Sequence, residues 1–244
     1  MKKRLDIVLV ERGIVQSRER GRALIMENKV IVDGSPCTKP GIAVDADTAV
    51  ITLRDCDMPY VSRGGVKLHS ALEQFGVDVQ GMTALDVGAS TGGFTDCLLA
   101  HGAVRVYAVD VGYGQLAWRL RSDNRVITIE RTNIRYMDRG VIPEPIDISV
   151  VDVSFISLKI VIPVVLRFLG QGGKLLCLIK PQFEVGRGAV GKGGIVREQD
   201  KRIQVVNDLE AFMLSIGLDV KGIGQSPIKG QKGNTEYFVY AQVI

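Results

Sequence analysis

The chain has 244 residues, a formal net charge of +4, 46% hydrophobic and 24% charged residues, a balance that excludes a disordered or fibrous chain and leaves enough length to bury a core in one large domain or one large and one small. No run reaches the ~20 apolar residues of a membrane span, and the charged start Met1-Lys2-Lys3-Arg4 leads into Asp6, Glu11 and Arg12 rather than into an apolar signal region. The four separated cysteines, with no CxxC pair and only two histidines in the chain, argue against zinc and against a disulfide framework and fit a reducing cytoplasm.

The charge is unevenly placed. Residues 1–40 hold nine Lys/Arg and five Asp/Glu, and the remaining 204 residues hold 22 of each sign. A basic module on a neutral body suggests a polyanion held by one part and chemistry performed by the other; a solvated basic face is the alternative. Leu5, Val8, Leu9 and Val10 give a short helical pattern that ends near Gly13. Ser17 is placed to cap a second helix, with Ala23, Leu24 and Ile25 facing inward. Arg18, Arg20 and Arg22 follow that cap and oppose the helix dipole, so an anionic partner there would relieve the conflict. Val30-Ile31-Val32 followed by Asp33-Gly34 predicts a strand entering a tight turn, and Val50–Leu53 a closing strand.

This stretch resembles the S4 RNA-binding domain through Arg4-Leu5-Asp6, Gly13, Ser17-Arg18, Ala23, Leu24-Ile25, Val30, Val32, Gly34 and Lys39-Pro40. One departure is Asn28, where the S4 pattern usually has glycine; asparagine tolerates the left-handed conformation such a turn needs. The resemblance implies a small α+β module over residues 1–54 that holds structured RNA, with Arg4, Arg18, Arg20 and Arg22 as candidate phosphate contacts. Residues 55–61 read as a polar linker, and a larger domain is expected over 62–244.

From residue 82 strands and helices alternate. Strands are expected at 82–87, 104–109, 126–129, 148–151, 174–179, 220–223 and 237–243, and helices at 93–100, 115–120, 158–169 and 198–216. That rhythm predicts an α/β fold with a doubly wound parallel sheet, which binds ligands at the carboxyl ends of its strands. The run Asp86-Val87-Gly88-Ala89-Ser90-Thr91-Gly92-Gly93-Phe94-Thr95-Asp96 joins the first strand to the first helix. It is neither GxGxxG nor a P-loop, and Asp110 follows Gly88 by 22 residues, the spacing at which a carboxylate takes ribose hydroxyls. A nucleoside ligand without a demanding diphosphate fits, so S-adenosylmethionine fits better than a dinucleotide; a structural strand–helix turn is the alternative.

That run, together with Val151-Asp152-Val153-Ser154-Phe155-Ile156-Ser157, Ile179-Lys180-Pro181-Gln182-Phe183-Glu184, Ser62-Arg63-Gly64-Gly65 and Gly233-Asn234-Thr235-Glu236-Tyr237, closely resembles the TlyA (hemolysin A) family. The resemblance spans essentially the whole chain. It implies an S4 domain joined to a Rossmann-like class I methyltransferase domain of the FtsJ-like kind, with a mostly parallel seven-stranded sheet. It also implies transfer of methyl from S-adenosyl-L-methionine to cytidine 2′-hydroxyls of ribosomal RNA. The Lys-Asp-Lys-Glu tetrad of FtsJ-like enzymes falls at Lys67, Asp152, Lys180 and Glu236. For the cofactor, Gly88 and its neighbours Asp86, Ser90, Gly92, Gly93 and Phe94 are expected at the methionine end, Asp110 at the ribose and Asn133 at the adenine edge, with Asp152 also facing the cofactor. For Asn133, helix capping is the competing role.

Transfer to a 2′-hydroxyl needs a base during attack, and a lysine serves once burial and a neighbouring cation favour its neutral form. Lys180 is assigned that role on the family's precedent, with Lys67, Asp152 and Glu236 as orienting and electrostatic partners. Asp152 and Lys180 each end an apolar strand, which independently directs them to the ligand edge. Phe155 and Phe183 are expected to pack on the sheet, stacking on an extruded base being the alternative. Trp118 is expected in the core and His69 and His101 on helix surfaces. Arg63, Arg187, Lys192, Lys229 and Lys232 flank the tetrad as candidate phosphate contacts or ordinary surface charge. The expected partner is ribosomal RNA or a ribosomal subunit, with no metal and no membrane; an RNA-binding protein without activity and a cytolytic haemolysin are the competing classes.

Overall fold

Segments too short to carry a periodic signature build much of the N-terminal unit. The structure, a computed structural model, describes residues 2–15, 17–53, 59–186, 190–191, 193–230 and 232–244. Residue 54 at the end of the predicted S4 module, residues 55–58 of the predicted linker, and Arg187 and Lys192 lie outside the described residues. The chain divides into two units, Met1–Met58 and Pro59–Ile244.

The first unit runs β1 (Lys2–Arg4), α1 (Leu5–Glu11), α2 (Arg18–Met26), β2 (Val30–Val32), β3 (Ser35–Cys37), β4 (Ala43–Asp45) and β5 (Ile51–Leu53). Strand β2 lies between β3 and β5, and β1 pairs with β4, all antiparallel. Leu5, Val8 and Leu9 from α1 pack on Leu24 and Ile25 from α2 and on Val30 and Val44. Ser17 caps α2 by accepting from the Arg20 amide at 3.2 Å. Asn28 takes φ 60°, so the left-handed turn forms without glycine. The sequence did not announce β1, β3 and β4, each only three residues long.

The second unit runs α3 (Arg63–Phe75), β6 (Thr83–Val87), α4 (Gly93–Ala100), β7 (Arg105–Val109), α5 (Trp118–Arg121), β8 (Val126–Ile129), β9 (Ile146–Val151), α6 (Leu158–Val165), β10 (Leu169–Ile179), α7 (Pro181–Glu184), α8 (Gln199–Ser215), β11 (Leu218–Gln225) and β12 (Tyr237–Val243). Its seven strands are ordered β11-β12-β10-β9-β6-β7-β8. Strand β12 is antiparallel to both neighbours and the pairings from β10 to β8 are parallel.

Alternate residues of the buried strands feed two cores. Ala84, Val106, Ile148, Val150 and Leu176 join Leu68, Leu72, Phe94 and Leu98 on the α3–α4 face. Leu85, Val87, Val109, Val151 and Leu175 join Val161, Ile162, Leu209 and Met213 on the α6–α8 face. Both faces are covered, so the strands read as near-continuous apolar runs. Strand β6 has β7 on one side and β9 on the other, which sets the point where strand order reverses at β6/β9.

Several elements differ from expectation: α6 ends at Val165 rather than at residue 169, β10 starts at Leu169 rather than at residue 174, and α7 was not expected. Helix α3 was not anticipated, because Gly64-Gly65 weaken its propensity signal. Helix α5 starts at Trp118 rather than at residue 115, which turns Trp118 outward at 74% exposure; it is not a core residue. Among the described residues, no helix is long and apolar enough to cross a membrane.

Candidate active site

Strands β6, β9 and β10 run parallel; β6 and β9 end in register and β10 runs two residues further, so the residues that follow them, Gly88, Asp152 and Lys180, emerge at one edge. Lys180 Nζ lies 2.5 Å from Asp152 Oδ1 and donates to Ser154 Oγ at 2.9 Å. Glu236 immediately precedes β12, whose Tyr237 pairs with Ile179 on β10, so the antiparallel register puts Glu236 beside the strand end that carries Lys180. Helix α3 delivers the fourth residue: Lys67 Nζ donates to Glu236 Oε2 at 2.6 Å, with the two side chains 12% and 3% exposed. The tetrad is thus two ion pairs, Lys180–Asp152 and Lys67–Glu236. Removing one member of a pair this enclosed strands a charge, a cost of about 3–5 kcal/mol. Lys67, Lys180, Glu236, Phe155, Phe183 and Asn234 line one cleft of about 370 Å³. Asn234, itself buried, accepts from the Val196 amide at 2.9 Å and donates to the Gly194 carbonyl at 2.8 Å, which fixes one wall.

The glycine turn lies on the other side of Asp152. Gly88 has φ 89°, and a Cβ there would sit 2.5 Å from the Asp152 carbonyl oxygen. Only glycine lets the β6 turn pass so close to the end of β9. Asp110, after β7, accepts from the Ser90 amide at 2.8 Å through Oδ2 and from the Gly112 amide at 2.7 Å through Oδ1. A carboxylate has about four acceptor positions, so two remain for a pair of ribose hydroxyls. Ser90, Asp110, Gln115, Leu116, Thr128 and Glu130 line the pocket around it.

Asp86, on β6, is fully buried. Its Oδ2 accepts from the buried Thr95 hydroxyl at 2.7 Å, and its Oδ1 has no hydrogen-bond partner. Burial, opposed by the Thr95 hydrogen bond and reinforced by the nearby Asp152, pushes its carboxyl up to about 7. The unpartnered Oδ1 of Asp86, two residues before Gly88, and the spare acceptor positions of Asp110 fit a nucleoside that carries an ammonium group.

Residues 60–243 match the FtsJ-like methyltransferase family, and residues 3–50 match the S4 domain. The chain belongs to the FtsJ-like methyltransferase family. It is 45% identical over 237 residues to the Mycobacterium tuberculosis 16S/23S rRNA (cytidine-2′-O)-methyltransferase TlyA, covering 97% of this chain and 88% of that one. It is 40% identical over 239 residues to Hemolysin A of Brachyspira hyodysenteriae, covering 97% and 98%. The solved structure of a candidate hemolysin from Streptococcus thermophilus superposes with a TM-score of 0.79 at 40% identity, covering 99% of this chain and 88% of that one. N-methyltransferase NodS from Bradyrhizobium japonicum, solved with S-adenosyl-L-homocysteine, shares the fold at 16% identity and a TM-score of 0.52.

Within this FtsJ-like domain other expected residues fall differently. Phe94 is buried in the α3–α4 core with its ring 6.1 Å from Phe238, so its side chain is a packing element. Gly93 packs α4 against Gly64 and Gly65 of α3. Asn133 caps a short helical turn by accepting from the Arg135 amide at 3.1 Å. Arg63 donates to the Lys229 carbonyl at 3.2 Å. In the S4 unit Arg4 and Arg18 pair with Asp6, while Arg20 and Arg22 are exposed and, among the described residues, carry no ion pair. His69 on α3 and His101 at the end of α4 are part-exposed, and their ring nitrogens meet, Nδ1 to Nε2, at 3.0 Å.

Phe155 is the largest departure. It is 90% exposed, takes φ 64° and sits 4.9 Å from the Phe183 ring. A bulky residue in the left-handed region stores strain, and such strain clusters at functional sites. Ser154, Thr95 and Gln182 were not singled out from the sequence. Ser154 had a signal in lying two residues past Asp152. Gln182 lines the cleft and its Oε1 has no partner.

Proposed function

We propose that the chain transfers methyl from S-adenosyl-L-methionine to a cytidine 2′-hydroxyl of ribosomal RNA, acting in the cytoplasm. The observation that carries this reading is the placement of Lys180 Nζ, 2.5 Å from Asp152, between the glycine turn and a cleft lined by Lys67 and Glu236. The cofactor supplies a methyl group made electrophilic by a positive sulfur. Gly88 gives it room against the β9 end, Asp110 holds its ribose, and Asp86 Oδ1 takes its ammonium.

The chain's own residues then handle the proton. Lys180, which rests as the ammonium paired with Asp152, first releases a proton to solvent; when the target hydroxyl enters the cleft, the neutral Nζ accepts its proton as the oxygen forms its bond to the methyl carbon. The methyl–sulfur bond breaks with its electron pair going to sulfur, which leaves an ether and a neutral thioether. Asp152 and Ser154 hold Nζ in one place, and Lys67, anchored by Glu236, supplies a positive charge near the developing alkoxide. The relatives named as ribosomal RNA cytidine 2′-O-methyltransferases support the substrate class, and the S4 match supports the RNA.

Phe155 favours base stacking over packing, because its ring is presented to the cleft and to solvent. Phe155→Ala is expected to lower kcat/KM for ribosomal subunits by about tenfold, the lower range of base–aromatic stacking, without changing the melting temperature. Phe155→Trp is expected to restore it. Equal kcat/KM for wild type and Phe155→Ala would assign the ring no part in substrate binding. The reading as a whole is tested by transfer of labelled methyl to unmethylated 30S and 50S subunits, followed by alkaline hydrolysis. Label retained in alkali-resistant dinucleotides supports 2′-O transfer; label in free mononucleotides or bases contradicts it.

A further inference from the structure

The S4 unit is basic, yet one carboxylate is buried beneath its arginines. Asp6, in the first turn of α1, has no exposed surface. Arg4 binds it bidentately, Nε to Oδ1 and Nη2 to Oδ2, both at 3.0 Å. Arg18, the first residue of α2, donates Nε to Oδ2 at 2.9 Å. The two arginine side chains are each 49% exposed. Their outward donors are therefore Nη1 and the second hydrogen on Nη2 of Arg4, and both terminal nitrogens of Arg18. The Arg4 guanidinium also lies against Gly41: its Cζ, Nη1 and Nη2 would each be 3.6 Å from a Cβ built there. The carboxylate also favours the dipole of α1 from its first turn, but among the described residues only the two arginines bond it. The core under α1 is Leu5, Val8 and Leu9, and a negative charge weakens attraction to a polyanion.

Hydrogen bonds from Arg4, above all, and from Arg18 pull the Asp6 carboxyl down to about 2, so it stays ionised wherever RNA is bound. A free arginine side chain loses rotamer entropy on gripping a phosphate. A shared buried anchor removes that loss in advance and holds two planar forks close together.

We propose that Asp6 is a positioning residue for RNA binding, a single buried carboxylate that sets Arg4 and Arg18 as a two-armed clamp for RNA phosphate groups. This rests on the ribosomal RNA reading given above. Charge counting and the clamp predict opposite signs, which makes the test sharp. Asp6→Asn makes the module one charge more positive, so a purely Coulombic surface binds RNA more tightly. The clamp predicts about tenfold weaker binding and a salt dependence shallower by about one phosphate contact.

The experiment is equilibrium binding of the full chain to purified ribosomal subunits over a series of salt concentrations, with methyl-transfer kinetics in parallel. The clamp predicts a raised KM for subunits and an unchanged kcat for Asp6→Asn. Arg4→Lys and Arg18→Lys, which keep the charge and remove the fork, carry the test if Asp6→Asn unfolds the module. Each is expected to weaken binding about tenfold. Adding Asp6→Asn to the double lysine variant should then change affinity less than twofold. Asp6→Asn binding as tightly as wild type or tighter, or lysine variants equal to wild type, would overturn the clamp and leave the function intact. A wild-type chain that binds neither subunit would overturn the function reading and the clamp together.

Discussion

Lys180→Ala is expected to slow methyl transfer by about 10³-fold or more while leaving cofactor affinity within about twofold of wild type. The size follows from the number of roles the nitrogen fills. In the proposed mechanism its neutral form is the proton acceptor and its resting ammonium balances Asp152 at 2.5 Å, so its loss removes the base and leaves a part-buried carboxylate unpaired. Lys180→Arg separates the two roles. A guanidinium restores the charge and pairs with Asp152, but it does not give up its proton in a protein and cannot accept one. It is therefore expected to be as slow as alanine. Lys67→Arg should retain measurable activity, because Lys67 is bound to Glu236 and is needed for its charge. Single-turnover rates with labelled cofactor and unmethylated subunits make the comparison, with calorimetry on cofactor alone as the binding control. Lys180→Arg within tenfold of wild type, with Lys67→Arg inactive, would transfer the base role to Lys67.

The two lysines also show how far the sequence could be read. Asp152 and Lys180 each terminate an apolar strand, and in a parallel sheet that alone sends both to the ligand edge. Lys67 and Glu236 are 169 residues apart in sequence. They meet because α3 packs beside the sheet and β12 returns antiparallel to β10, neither of which is a local property. Only the resemblance to the TlyA family named them in advance. The strand alternation was legible because burial on both faces leaves continuous apolar runs. Residues whose hydrophobicity misleads were not. Trp118 and Phe155 are large and apolar but exposed, and the tendency of apolar residues to be inside does not run in reverse. Asp6 was visible only as one letter of Arg4-Leu5-Asp6. Its partnership with Arg18, twelve residues on, needed the α1–α2 packing to be known.

Asp86→Asn is expected to stabilise the protein above neutral pH and to weaken binding of S-adenosyl-L-methionine by about 100-fold. Both effects come from the same buried carboxyl, raised to about 7 from 3.8 chiefly by burial. In the unfolded chain it is ionised above about pH 4, while the folded protein keeps its proton to about pH 7. The native state therefore binds more protons across that window, and stability falls as pH rises through it. The loss is complete above about pH 7 and amounts to roughly 4 kcal/mol. Asparagine keeps a donor and an acceptor without the charge, so the slope in melting temperature between about pH 4 and pH 7 should flatten. The proposed role in cofactor binding needs the opposite state. Oδ1, which has no protein partner, attracts an ammonium only as a carboxylate, so cofactor binding must expel the proton. Wild-type affinity should rise up to tenfold per pH unit below about pH 7 and level off above it, with proton release visible as a buffer-dependent enthalpy. Thr95→Val, which removes the hydroxyl that favours the carboxylate, should move that rise to higher pH, and Thr95→Ser should restore it. Wild-type cofactor affinity that stays flat from about pH 6 to about pH 8 would take Asp86 away from the ammonium. Its orphaned oxygen would then be a cost of the fold and no part of the site.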